Sequence, residues 1–274
     1  MRIRAVLTDL DGTLLEPDGS LAPEAADALA ALAEASVPVC PITSKTAAEL
    51  GPIMARLRLA GPAGFENGGG VRQRDGRMEI LEGAVPLADL LAIFAEVRRR
   101  TGAPARTLLE LDDRELGALT GLRGTELSAA RCRQTTLPLV VDREWDDRLR
   151  AALPSAPGIL LLRGNRFLHM QGQHTKATAA RRIAERVGGP GGVMVALGDA
   201  PNDADLLEFA EIAVIVPGLA GPNPELLALV PRARVAAAAH GRGWAAAVGA
   251  LLAVRELPGP PGAAGPSRVP TASS

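Results

Sequence analysis

Two carboxylates stand one residue apart in "LTDLDGTLL" (7–15): Asp9 closes an apolar run, and Asp11 follows before a glycine and a threonine. Like charges at this spacing raise each other's pKa. A site that tolerates them holds a cation, or runs a reaction needing one carboxylate charged and the other protonated. Three further segments carry matching chemistry. "TSKT" (43–46) offers hydroxyls and Lys45, and "HTKATAA" (174–180) offers Lys176. "LGDAPNDADLL" (197–207) puts Asp199 at the end of an apolar run, with Asn202 and Asp203 where a helix would open. Asp9, Asp11 and Asp199 are hard oxygen donors of the kind Mg²⁺ takes, alongside waters and a phosphate. The Thr43 hydroxyl and the Lys176 ammonium suit phosphoryl oxygens. Taken singly, Asp199 and Asp203 read as ordinary helix caps. Four such segments in one chain read as a single site.

The lysines add weight. Of 30 basic residues, 28 are arginine, and only Lys45 and Lys176 are lysine. A planar guanidinium cannot stand in for a compact ammonium at a tight site, so a lysine kept in an arginine-rich chain marks a position where the difference matters. His169, His174 and His240 show no metal-ligand spacing and read as surface or packing residues. Trp244 and Phe167 read as core.

These residues must be positioned by strands and helices. Residues 3–9 read as a strand, Pro23–Ala35 as a helix with proline in its first turn, "VPVCPIT" as a strand ending at Thr43, and 47–57 as a helix. This alternation predicts a parallel sheet, whose ligands bind at the carboxyl ends of the strands, where Asp9 and Thr43 fall. Asp75-Gly76 within 71–81 reads as a hairpin turn. From 83 to 167 helical stretches (86–100, 144–152) mix with strand-like runs (137–141, 158–163, 166–171), the pattern of an inserted α+β unit. The alternation then resumes: a helix from 174 to 187, a strand at 193–199, a helix at 203–210, a strand at 212–216 and a helix at 242–255. The expected organisation is α/β: a Rossmann-like parallel-sheet core in two parts (1–82 and 168–256), an inserted α+β cap (83–167) and a disordered Pro/Gly/Ser-rich tail (257–274).

The net charge of -1 gives no sign of a nucleic-acid or membrane surface. No uninterrupted apolar stretch approaches the roughly 18 residues of a membrane span. The N-terminal apolar run is cut short by Asp9 and has no signal-peptide cleavage site. Two cysteines, Cys40 and Cys132, suggest no disulfide framework and fit a reducing cytoplasm.

In order and type, DxDGT, a strand-end threonine, a lysine and GDxxND, the four segments resemble the haloacid dehalogenase superfamily of phosphatases. The resemblance implies that Asp9 is the nucleophile, forming a phospho-aspartate, and Asp11 the general acid and base. It makes Asp9, the Asp11 backbone carbonyl and Asp199 ligands of Mg²⁺, with Asp203 beside them as a further member of the metal site. Thr43 would hold a phosphate oxygen, and Lys176 would keep Asp9 ionised. "TSKT", "ENGGG" (66–70), "RFLHM" (166–170) and "GDAPND" (198–203) are similar to the mannosyl-3-phosphoglycerate phosphatase subfamily. That implies a small phosphorylated sugar-glycerate substrate, contacts from Ser44, Lys45 and Asn202, and Glu66 and Asn67 near a hinge of the cap, with Asn67 also reaching substrate. From the cap, Arg133, Arg163 and Arg166 would meet a carboxylate or phosphate. The cap stretch "RCRQTTLPLV" departs from the subfamily, with Leu137 where an acid able to bind sugar hydroxyls is usual. A general sugar phosphatase and a phosphohexose mutase are the alternatives of the same fold. A receiver or binding module is disfavoured, because a receiver would not carry an insert of this size and every reactive residue is kept.

Overall fold

The computed structural model describes residues 2–153, 158–187 and 191–256. The expected disordered tail lies outside the described residues. In chain order the elements are β1 (Ile3–Thr8), α1 (Pro23–Glu34), β2 (Val39–Pro41), α2 (Ala47–Arg56), β3 (Ala63–Phe65), β4 (Gly70–Arg72), β5 (Met78–Ile80), α3 (Leu87–Thr101), β6 (Arg106–Thr107), α4 (Asp113–Thr120) and α5 (Thr125–Arg131). They continue with β7 (Thr136–Val140), α6 (Asp146–Ala151), β8 (Leu160–Arg163), β9 (Leu168–Gln171), α7 (Lys176–Ala184), β10 (Val193–Gly198), α8 (Ala204–Phe209), β11 (Ile212–Ile215), α9 (Pro224–Leu229), β12 (Arg234–Val235) and α10 (His240–Glu256).

Five strands form a parallel sheet in the order β12-β11-β10-β1-β2. Its central strands are apolar on both faces, as a sheet covered by helices on both sides requires. Val6 of β1, Val195 and Leu197 of β10 and Val214 of β11 pack on one side, in a core shared with Leu29 and Leu32 of α1 and Trp244 and Val248 of α10. The alternate residues Leu7, Ala196 and Ile215 pack on the other side with Ala180 and Ile183 of α7 and Leu206 of α8. The period of two along each strand thus feeds two cores. The expected α/β core is present, with its strands and helices close to the anticipated segments.

A small antiparallel sheet, β3-β4-β5, contains the expected hairpin. It joins the main sheet through a bridge between Ile42 and Gly64. A second antiparallel sheet, β6-β7-β9-β8, packs Leu137, Leu139, Leu161, Leu168 and Met170 against Leu90 and Phe94 of α3 and Leu149 of α6. The anticipated boundary at residue 167 cuts this sheet, because β9 pairs with both β7 and β8 and so runs with the antiparallel unit as far as Gln171. Among the described residues no helix is long and apolar enough to cross a membrane.

Candidate active site

The register of the parallel sheet assembles the site. Thr8 of β1 lies opposite Leu197 of β10, and the Asp9 amide donates to the Leu197 carbonyl at 3.0 Å. The two strands end together, and Asp9 and Asp199 project from the same edge. One carboxylate oxygen from each of Asp9, Asp199 and Asp203 lies within 4.8 Å of the others. Lys176, at the start of α7, is buried between them. Its Nζ lies 2.7 Å from Asp9 Oδ1 and 2.5 Å from Asp203 Oδ1.

Asp203 has a positioning part in this geometry. Its Oδ2 accepts the amides of Asp199 and Ala200, both at 3.0 Å, so each oxygen is engaged and the carboxylate holds the 198–203 turn to Lys176. Asp203 also remains one of the three acids whose oxygens could share a cation. Asp199 accepts Thr13 Oγ1 at 2.7 Å and Asn165 Nδ2 at 2.6 Å. Gly12 allows this close approach: its φ is +82°, and a Cβ there would meet Asp199 Oδ2 at 2.6 Å. His240 Nδ1 lies 3.0 Å from the Gly12 carbonyl and so ties the same loop to α10.

The charges are strongly coupled. Burial, reinforced by the Asp203 and Asp199 carboxylates, pushes Asp9 well above the usual carboxylate range, with Lys176 opposing. Burial and Asp203 push Asp199 to about 6, against the Asn165 and Thr13 hydrogen bonds. Burial would lower the Lys176 pKa, but Asp203 and Asp9 together override it and hold the ammonium charged. Three acids around one lysine leave an excess of negative charge that a divalent cation would neutralise. Asp9, Asp199 and Asp203 each bring a carboxylate oxygen to the same small space, so hard-oxygen coordination of Mg²⁺ fits these residues.

Asp11 lies apart from the acidic cluster. Its Oδ2 pairs with Lys45 Nζ at 2.8 Å, and Lys45 is also 3.9 Å from Glu49. Burial again opposes, and Asp11 and Glu49 override it to raise the Lys45 pKa. The Thr43 hydroxyl is buried and accepts the Lys45 amide at 3.2 Å.

Above these residues a cleft of about 720 Å³ separates the strand ends from the antiparallel unit. Asp9, Asp11 and Asp199 line it, and so do Ser44, Lys45, Arg133, Arg166 and Asn202 of the residues expected to meet substrate. Two expectations need correction. Arg163 pairs with Leu168 across β8 and β9 and so shares the face that packs on α3 and α6. There its guanidinium forms a buried ion pair with Asp146, and Nη1 donates to the Val141 carbonyl. Asn67 is fully buried, donating to Gln171 Oε1 at 3.0 Å and accepting from Asn202 Nδ2 at 3.1 Å. It is a seam residue that orients Asn202, and a substrate cannot reach it. Arg133 is partly committed too, since Nη1 donates to the Ser44 carbonyl at 2.6 Å. Leu137 belongs to the apolar face with Met170, so its departure from an acid leaves the cleft unchanged.

Sequence reading did not single out Thr13 or Asn165. Thr13 was within reach, being part of the DxDGT run. Asn165 depends on how a tight turn between β8 and β9 meets a distant strand end.

Comparison with known proteins gives a consistent picture. Residues 6–105 match the sequence model of the haloacid dehalogenase-like hydrolases. A phosphatase of the haloalkanoate (HAD) enzyme superfamily from Bacteroides thetaiotaomicron superposes with a TM-score of 0.68 at 20% identity, over 92% of this chain and 95% of that one. A HAD subclass IIB sugar phosphatase gives 0.67 at 17% identity, over 92% and 99%. A protein of Streptococcus mutans gives 0.70 at 17% identity, over 92% and 99%. The chain has the fold of the haloacid dehalogenase-like hydrolases, and more than a third of it, including Asp9, Asp11 and Thr43, matches their sequence model.

Proposed function

We propose that the chain is a Mg²⁺-dependent phosphomonoester hydrolase working through a phospho-aspartate, with the antiparallel unit as a cap over the active site. The carrying observation is the buried Lys176 bridging Asp9 and Asp203 beside Asp199. Lys176 opposes the protonation of the buried Asp9, and a bound cation would add to that, so that Asp9 is ionised to attack phosphorus. As the ester P–O bond breaks, Asp11 gives a proton to the departing oxygen. In the second half, Asp11 takes a proton from water, the water oxygen bonds to phosphorus, and the acyl phosphate P–O bond breaks to restore Asp9. Mg²⁺ held by Asp9, Asp199 and the Asp11 carbonyl would neutralise phosphoryl charge. The Thr43 hydroxyl serves a phosphoryl oxygen. The setting this reading assigns is a reducing cytoplasm, which two free cysteines support.

For the substrate we infer a hexosyl-3-phosphoglycerate, since Lys45 and Arg166 at the cleft offer cationic partners for a glycerate carboxylate. A general sugar phosphatase is the second reading. The commitment of Arg163 to Asp146 favours it, because it removes one cation from the set available to such a carboxylate. The test is phosphate release from mannosyl- and glucosyl-3-phosphoglycerate, mannose 6-phosphate and glucose 6-phosphate, each with Mg²⁺ and with excess EDTA. Expected are Mg²⁺-dependent release, none with Asp9→Asn, and higher kcat/KM on the glycerate conjugates. Full turnover in EDTA would remove the metal assignment. Equal or better cleavage of the hexose phosphates would establish the second reading.

A further inference from the structure

Helix α10 takes no part in the chemistry, yet it grips the loop that carries Asp9 and Asp11 at two points. The first is His240, the opening residue of the helix. Its backbone lies in the left-handed region, with φ +50°, a conformation that is uncommon outside glycine and persists where the surroundings fix it. Its amide donates to the Pro217 carbonyl at 3.0 Å, and its Nδ1 lies 3.0 Å from the Gly12 carbonyl. A carbonyl only accepts, so Nδ1 carries the proton and donates. The second point is Trp244, four residues on and so on the same face of the helix. It is fully buried, and its indole N–H donates to Thr8 Oγ1 at 3.0 Å. That hydroxyl donates in turn to the Asp9 carbonyl at 2.7 Å. Between the two, Gly241 lets the loop lie against the helix start, since a Cβ there would stand 3.1 Å from the Leu14 carbonyl.

The consequence shows in where the carbonyls of residues 9–12 find donors. The Asp9 carbonyl takes the Thr8 hydroxyl. The Leu10 carbonyl takes the amides of Thr13 at 3.2 Å and Leu15 at 2.8 Å. The Gly12 carbonyl takes His240. Among the described residues, the Asp11 carbonyl is the one in this run that no protein group engages. Backbone carbonyls are strong acceptors that rarely go unpaired, and this one stands in the loop beside the acidic cluster, where a hard cation would take it.

We propose that His240 is a positioning residue for the catalytic loop: by engaging the Gly12 carbonyl it fixes the turn in which the neighbouring Asp11 carbonyl is left free for a divalent cation. The inference rests on the phosphatase reading and deepens it. His240 touches no reacting atom and acts through Gly12, so its removal should show in cation affinity and in kcat, with KM unmoved.

The experiment compares wild type with His240→Asn, His240→Gly and His240→Gln. In His240→Asn the amide nitrogen hangs on Cγ, as Nδ1 does, and asparagine tolerates the left-handed backbone. Glycine takes that backbone more readily still but has no donor. Glutamine keeps a donor but carries it one bond further out, in the place of Nε2. Mg²⁺ binding to the metal-free protein is read by titration calorimetry. Phosphate release is read on mannosyl-3-phosphoglycerate or mannose 6-phosphate, whichever wild type cleaves faster. Groups that hold a metal's ligands in place typically change affinity or activity by about 10–100-fold. His240→Gly and His240→Gln should therefore weaken Mg²⁺ binding and lower kcat by about tenfold or more, with KM unchanged, while His240→Asn stays near wild type in both. The glutamine variant carries the test if glycine loosens the helix start. Mg²⁺ affinity unchanged in His240→Gly and His240→Gln, or lost equally in all three variants, would overturn the inference and leave the phosphatase reading intact. If wild type binds Mg²⁺ but cleaves neither substrate, the affinities alone decide the inference and the phosphatase reading falls. If wild type binds no Mg²⁺, the inference falls with the metal assignment.

Discussion

At the scale of single residues, Lys176 is the most constrained side chain of the site. It is 1% exposed, and its ammonium pairs with two carboxylates. A buried charge left without its partner costs about 3–5 kcal/mol. Lys176→Met should therefore destabilise the protein by about that amount, as urea unfolding would show, and should leave Asp9 protonated and inactive. Lys176→Arg is the sharper probe. It keeps the charge, but a planar fork does not fit between oxygens placed for a compact ammonium. Turnover should fall by at least about a hundredfold, comparable to removing a transition-state contact. Rates near wild type in a phosphate-release assay would show that charge alone is enough. The scarcity of lysine made this residue legible in the sequence. Its fellow, Lys45, stood out by the same scarcity, but its pairing with Asp11 was not legible, since nothing in the one-dimensional spacing sets those two tips 2.8 Å apart.

At the scale of elements, the strand–helix alternation gave away the parallel sheet because central strands buried on both faces are continuous apolar runs. It gave much less of the antiparallel unit. The helices α4 and α5 are only 8 and 7 residues long and pass beneath any periodicity window. The sequence did hold a marker for α4, where Asp112 and Glu115 form a reciprocal capping box and Gly121 ends the helix in the left-handed region. Arg163 was misread for a related reason. Its strand was visible but its face was not, and a period of two makes the face decisive. The junction between the parallel-sheet core and the antiparallel unit shows how elements are tied. Glu66 accepts the amides of Gln134, Thr135 and Thr136 and the hydroxyls of Thr135 and Thr136, all within 3.3 Å, which anchors the start of β7. Beside it, Gly68 has φ +88°, and a Cβ there would lie 2.0 Å from the Thr175 carbonyl, so this chain crossing admits no side chain. Glu66→Gln replaces an all-acceptor carboxylate by an amide whose NH₂ faces donors. The expected loss is on the order of 3 kcal/mol in urea unfolding, from weakened charge-assisted bonds and one stranded donor. A change below about 0.5 kcal/mol would show that the clamp holds little.

At the scale of the whole molecule, the two units meet in two places of different strength. The rear junction is buried: the Glu66 clamp, the Asn67–Gln171 bond, Thr46 Oγ1 donating to the Ala129 carbonyl at 2.8 Å, and Arg133 on the Ser44 carbonyl. The front contacts are exposed and few. Arg166 donates to the Pro17 carbonyl at 3.0 Å, Arg143 pairs with Glu225 at 3.3 Å, and Asn165 donates to Asp199. Exposed ion pairs contribute about 0–1 kcal/mol, so the front should open without disturbing the rear. Such openings belong to the low-stability end of a protein's motions and suit a lid that admits substrate. Asn165 is the informative member, because it is the front contact that touches a carboxylate of the acidic cluster. Asn165→Ala should leave global stability within about 0.5 kcal/mol, as expected for an exposed substitution. It should speed amide hydrogen exchange in the 158–167 turn and in the 9–13 loop beneath it, while 64–72 at the rear junction keeps its protection. Faster exchange at both ends would mean that the two units loosen together and the junction is no hinge. Unchanged exchange at the turn would mean that Arg166 and Arg143 hold the front closed unaided, and that Asn165 serves Asp199 alone.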